Sequence, residues 1–142
     1  MMSAVPNSRA PRVLVVDDEP SIRSFVSRAL THAGYGVVVA SDGSEALQFV
    51  EAQPPFDLFI VDMSMPQMSG DELARRLRRR YPDVKVLYCT GYSERLFESR
   101  NVLWQHEAFI EKPVSVGGLL EAVSLLLFGH INGPAVDRQL AS

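Results

Sequence analysis

Asp17-Asp18-Glu19, Asp62, Thr90-Gly91 and Lys112-Pro113 are the residues of this chain whose types and placement suit chemistry on a highly charged group. Each follows a short apolar run: VLVV before Asp17, LFIV before Asp62, VLYC before Thr90 and AFI before Glu111-Lys112. If those runs are neighbouring strands, three carboxylates, a hydroxyl and an ammonium converge on one sheet edge. Three carboxylates in a small space repel one another, and at least one should then titrate above its ordinary range. A divalent cation relieves that repulsion. Oxygen donors suit Mg²⁺ (or Mn²⁺), which keeps several waters and takes one or two carboxylates and a carbonyl. The chain has no Cys/His cluster that would suggest zinc. A carboxylate beside such a cation can attack phosphorus and form an aspartyl-phosphate. The transferring group spreads charge over three equatorial oxygens and needs a cation and hydrogen-bond donors around it. Lys112 offers the cation, Thr90 the hydroxyl, and Gly91 leaves room beside the phosphoryl group.

The elements that must position these groups follow from pattern. Apolar, mostly β-branched runs at Val13–Val16, Val37–Ala40, Leu58–Val61, Val84–Cys89 and Ala108–Ile110 read as strands buried on both faces, hence a parallel sheet with helices on each side. Between them lie segments of helical period. Ile22, Phe25, Val26, Ala29 and Leu30 form one stripe, with Pro20 suited to the first turn and Gly34 to the stop. Pro54-Pro55 ends the next helix, and Ser69 with Glu72 forms a capping box for the third. Ser93 and Ser115 are N-cap candidates for the fourth and fifth. Five β–α units imply an α/β fold: a doubly wound five-stranded parallel sheet of order 2-1-3-4-5, a (βα)5 flavodoxin-like three-layer sandwich with functional groups at the carboxyl ends of its strands.

Size and composition bound the rest. The chain has 142 residues, 46% hydrophobic and 22% charged, which suits one domain with a real core. The expected division is a tail over 1–11, the domain over 12–128, and a second tail or cut linker over 129–142. A net charge of −3 gives no global push toward nucleic acid or anionic membranes. The basic run Arg75–Arg80 is expected to be a solvated helix face rather than a DNA-binding surface. Cys89 is the only cysteine, which excludes an internal disulfide, and it reads as an inert core thiol. No apolar stretch reaches membrane-spanning length, and the start of the chain does not read as a signal peptide, so a cytoplasmic location is expected.

In order, VLVVDDEP, LFIVDMSMPQMSG, VLYCTGY and FIEKP are four blocks that together resemble response-regulator receiver domains, the fold of the chemotaxis response regulators. The resemblance covers roughly residues 12–128. It implies two-component signal transduction: Asp62 accepts a phosphoryl group from a histidine kinase or phosphotransfer protein, and the domain is not a turnover enzyme on other substrates. It also implies that Asp18 and Asp62 contact Mg²⁺ directly with the backbone carbonyl of Ser64, that Asp17 acts through metal-bound water, and that Lys112 pairs with the phosphoryl oxygens next to an often cis bond to Pro113. Thr90 and Phe109 take the switch positions. Ser64 and Tyr92 occupy places that tune phosphoryl lifetime in relatives. Part of the chain also resembles receivers at the C-terminal end of hybrid histidine kinases.

A phosphoryl group on Asp62 would draw Thr90 in and let Phe109 fill the vacated space, altering the face of helix 4, strand 5 and helix 5. Leu119, Leu120, Val123, Leu126 and Leu127 supply the core stripe of the last helix. Leu125 and Phe128 are surplus to it, which implies a homodimer or partner contact there. Two other readings stand against this one. A Mg²⁺-dependent phosphatase with an aspartyl nucleophile would want a second carboxylate two residues after Asp62, where this chain has Ser64. A docking-only domain would not need every chemical group retained.

Overall fold

The computed structural model describes residues 9–91 and 106–129. Five parallel strands form one sheet in the order β2-β1-β3-β4-β5. The strands are β1 (Arg12–Val16), β2 (Gly36–Ala40), β3 (Leu58–Asp62), β4 (Val86–Thr90) and β5 (Glu107–Glu111). Four helices, α1 (Pro20–His32), α2 (Gly43–Ala52), α3 (Gly70–Arg80) and α4 (Val116–Phe128), complete the described fold. The helix expected behind Ser93 falls in residues 92–105, outside the described residues, so α4 is the helix the sequence pattern counts as the fifth.

Side-chain alternation along the central strands builds the two sides of the core. Phe59 and Val61 of β3 join Ala46 and Val50 of α2 and Leu73, Ala74 and Leu77 of α3. Leu58 and Ile60 face the other way, onto Val26 and Leu30 of α1 and Leu119 and Val123 of α4. The expectation of strands buried on both faces holds for β1, β3 and β4 but not for β2 and β5. Those two are the sheet edges, and Val39 of β2 is left exposed. The fourth strand also starts later than its apolar run: Val84 donates its N–H to the Tyr81 carbonyl in the turn after α3, so the ladder begins at Val86.

Local chemistry ends the helices where expected, with two refinements. Pro20 occupies the first turn of α1, and Gly34 follows its end at φ 101°, a conformation an L side chain resists. The Ser69 hydroxyl accepts the Glu72 N–H, but the Glu72 carboxylate pairs with Arg76 instead of completing the box. Asp42, unremarked in the sequence, caps α2 by accepting the Glu45 N–H at 2.8 Å. Ser115 caps α4 as expected, and Leu125 and Phe128 are exposed on that helix.

The basic run departs from a purely solvated face. Arg75 and Arg76 do pair with Asp71 and Glu72 one turn back on α3. Arg78, however, turns onto Glu107 of β5 at 2.5 Å, and the Glu107 side chain is fully buried. The same carboxylate accepts the Tyr88 hydroxyl at 2.6 Å. This network ties α3 to β4 and to the start of the edge strand β5, at the end of that strand opposite Lys112.

Removing Arg78 takes a cationic partner from a buried carboxylate. Arg78→Met is expected to cost about 3 kcal/mol in urea unfolding, whereas Arg76→Met, whose pair is exposed, should cost no more than ~0.5 kcal/mol. Equal effects would refute the distinction. Gly70 faces a second constraint: a Cβ there would lie 2.4 Å from the Asp62 carbonyl oxygen and 3.0 Å from Met63 Cα. Gly70→Ala must shift backbone, and a loss of about 1–3 kcal/mol is expected by the same measurement.

Candidate functional site

The doubly wound order puts a crevice at the carboxyl ends of β1 and β3, where the path of the chain reverses across the sheet. Asp17 follows β1 directly, and its N–H bonds the Ala40 carbonyl at the end of β2. Asp62 closes β3. Lys112 follows β5, with its N–H on the Thr90 carbonyl at 2.9 Å. Topology thus brings together residues that are far apart along the chain.

One carboxylate oxygen from each of Asp17, Asp18 and Asp62 lies within 4.8 Å of the others. Asp17 and Asp62 are buried, while Asp18 opens to solvent. The Lys112 ammonium sits 3.3 Å from Asp17 Oδ2 and 3.3 Å from Asp62 Oδ1, with Glu19 Oε1 at 3.8 Å. Further donors hold the acidic groups in place. The Glu19 N–H bonds Asp17 Oδ1 at 2.9 Å, and the Ser64 N–H reaches Asp62 Oδ1 at 3.3 Å. Arg23, one turn into α1, donates to the backbone carbonyl of Asp17 at 2.5 Å.

One lysine does not balance this concentration of charge. Burial pushes the Asp62 carboxyl up to about 6, and the neighbouring Asp17 charge adds to it against the pull of Lys112 and the Ser64 N–H. Asp17 is also raised, by burial, with the Glu19 N–H and Lys112 acting against it. For Lys112, burial works against the charged form, but Asp17 and Asp62 outweigh it and the ammonium is held more firmly. Cys89, beneath the site, is pushed by burial to about 12 and stays a thiol, as expected of an inert core residue.

The donor set fits a hard divalent cation. Three carboxylates with two raised titrations form an anionic pocket with oxygen ligands only, as Mg²⁺ prefers. The three carboxylates already offer oxygens within 4.8 Å of one another, close enough to converge on one hard cation. Zinc would want nitrogen or sulfur ligands.

Thr90 and Phe109, the positions expected to switch, share one side of the sheet. Tyr88 and Phe109 are partners in register, and both belong to the cluster on the α2–α3 side. Thr90, two residues beyond Tyr88 and paired with Glu111, has the same parity and is buried. Gly91 is exposed, with nothing within 4 Å of where a Cβ would stand. The Lys112-Pro113 bond is cis. Tyr92 lies outside the described residues.

The loop between Asp62 and α3 is shaped by backbone the motif does not spell out. The Met68 N–H turns onto the Pro66 carbonyl at 2.7 Å about Gln67, whose φ is 72°. Such a γ-turn is strained, and strain of this kind gathers at functional loops. The Gly70 N–H then bonds the Met63 carbonyl, seating α3 against the end of β3. Arg23 escaped the sequence reading, and Gly70, the last residue of the LFIVDMSMPQMSG block, carries no stated role there.

Fold and site together define a doubly wound α/β domain with a cation-ready acidic edge. The profile of the response regulator receiver domain matches residues 13–124, and the chain belongs to that family. It is 36% identical over 121 residues to the sensor kinase CckA of Brucella abortus, covering 84% of this chain but 13% of that protein. It is 30% identical over 116 residues to the response regulator receiver protein CpdR of Brucella abortus, covering 82% of this chain and 96% of that one. Among solved structures it resembles the response regulator TrrA of Thermotoga maritima in complex with Mg²⁺-BeF, with a TM-score of 0.73 and 36% identity over 82% of this chain and 99% of that one.

The raised Asp62 carboxyl has a measurable consequence in metal-free protein. The neutral form is favoured on folding, whereas the unfolded group ionises near 3.8. The stabilisation is therefore full below pH 3.8 and is lost as pH rises through about 6. Asp62→Asn keeps a neutral group at every pH. Its stability should match the parent near pH 4 in EDTA and exceed it by roughly 1–3 kcal/mol at pH 7. Urea midpoints across that range check this, and a difference independent of pH would refute it.

Proposed function

We propose that this domain takes a phosphoryl group onto Asp62 from a phosphohistidine of a histidine kinase or phosphotransfer protein, and that Mg²⁺ assists. The observation that carries the reading is the position of Asp62: buried, at the end of β3, within reach of Lys112 and of two further carboxylates. In the reaction an Asp62 carboxylate oxygen forms a bond to phosphorus as the bond to the donor breaks, and the electron pair leaves with the donor. Asp18, Asp62 and the Ser64 carbonyl would hold Mg²⁺, with Asp17 acting through water. Bound there, Mg²⁺ supplies positive charge that keeps Asp62 ionised and offsets charge on the phosphoryl oxygens.

The contact of Lys112 with Asp62 Oδ1 supports its pairing with a phosphoryl oxygen. Thr90 lies on the neighbouring strand end and can donate its hydroxyl, with Gly91 leaving space beside it. Drawing Thr90 toward the phosphoryl group frees volume on the face it shares with Phe109. The shift passes to β5 and α4, where exposed Leu125 and Phe128 would meet a partner or a second copy of the chain. A coupling of about 1–3 kcal/mol is sufficient for such a switch. The reading assigns no turnover of unrelated phosphomonoesters, since Ser64 stands where an aspartyl phosphatase would want its second carboxylate. It carries over the expected cytoplasmic location; no described helix is long and apolar enough to cross a membrane.

Intact mass after incubation with acetyl phosphate and Mg²⁺ tests the reading. One added phosphoryl group is expected in the parent, and none in Asp62→Asn or in EDTA. An adduct that survives in Asp62→Asn would sink the assignment of the acceptor. No adduct, together with no binding of beryllofluoride, would sink the phosphoacceptor reading itself.

A further inference from the structure

Arg23 is the fourth residue of α1, one turn past its start. It is half-buried, and its guanidinium donates to the Asp17 backbone carbonyl at 2.5 Å. That carbonyl belongs to the peptide joining Asp17 to Asp18. The other side of Asp17 is pinned as well: its carboxylate accepts the Glu19 N–H and the Lys112 ammonium, and its N–H bonds the Ala40 carbonyl. Asp18 alone among the three carboxylates is exposed. The position of Asp18 therefore depends on the peptide that Arg23 holds.

We propose that Arg23 is a positioning residue for the cation site, fixing the Asp17-Asp18 peptide so that Asp18 presents its carboxylate toward Asp62. The inference rests on the Mg²⁺ site proposed above. It requires that Arg23 act through its hydrogen bond and not through its charge, and the two roles predict opposite signs. A positive charge near the pocket repels a second cation, so removing it should tighten Mg²⁺ binding. Loss of the bond should loosen the Asp18 carboxylate and weaken Mg²⁺ binding. Partners that orient metal ligands typically change affinity by about 10–100-fold when removed.

The test titrates MgCl₂ into isotopically labelled protein and follows backbone amide shifts around Asp17 to Glu19. Urea unfolding in EDTA is run beside it. The parent is expected to saturate. Arg23→Ala should need at least about tenfold more Mg²⁺, with its metal-free urea midpoint nearly unchanged, and Arg23→Lys should recover most of the affinity. If Arg23→Ala fails to fold, Arg23→Met keeps the aliphatic stem and takes its place. Affinity equal to or tighter than the parent in the neutral variants would overturn the proposal. So would failure of both to fold, which would make the bond a support of the whole fold. A parent that binds no Mg²⁺ would instead overturn the underlying site, whatever Arg23 does.

Discussion

The repulsion among Asp17, Asp18 and Asp62, with Lys112 as the lysine placed among them, is the constraint around which this molecule is arranged. Carboxylates do not gather spontaneously, and burial makes their company worse: Asp62 is pushed up to about 6 and Asp17 is raised as well. The fold tolerates the cluster because the sheet behind it is rigid. Residues on both faces of β1, β3 and β4 are buried almost completely, so the strand ends cannot splay to relieve the charge. A divalent cation held there would relieve that repulsion.

Rigidity at the centre contrasts with the edges. β5 is an edge strand, partly exposed along its length, yet it carries Phe109 and leads into Lys112. Its attachment is the buried Glu107, held by Arg78 from α3 and by Tyr88 from β4. Ionic anchoring of this kind is directional, where apolar packing is not. It fixes the β5 register while leaving Phe109, two residues on, packed only in part. β5 thus combines a fixed start at Glu107 with a partly buried Phe109.

The β1–α1 and β3–α3 connections do the fine placement. Arg23 and the Glu19 N–H grip Asp17, and the γ-turn at Gln67 with Gly70 seats α3 against the Asp62 carbonyl. The β1–α1 loop is polar and takes its geometry from such hydrogen bonds, whereas the β3–α3 loop also buries Met63 and Met65 in the core, with Met68 packed against it.

Much of this was legible in the sequence. Apolar runs followed by acidic, hydroxyl and lysine residues located four of the strand ends, and helical periodicity with Pro20, Gly34 and Ser115 located helix boundaries, because both signals are local and repeat along the chain. Alternation of element types then implied the 2-1-3-4-5 order, and with it the convergence of Asp17, Asp18, Asp62 and Lys112. Tertiary structure alone decided the rest. Nothing local marks Arg78 as different from Arg76, since both sit on one basic helix; only the approach of β5 turns one into a buried partner. The exposure of Val39 follows from β2 being a sheet edge, a property of strand order and not of its Val-rich run. The need for glycine at 70 comes from the Asp62 carbonyl behind it, and the grip of Arg23 comes from the bend between β1 and α1. Periodicity reports which face of an element is buried, whereas which polar group meets which depends on how the elements are packed together in space.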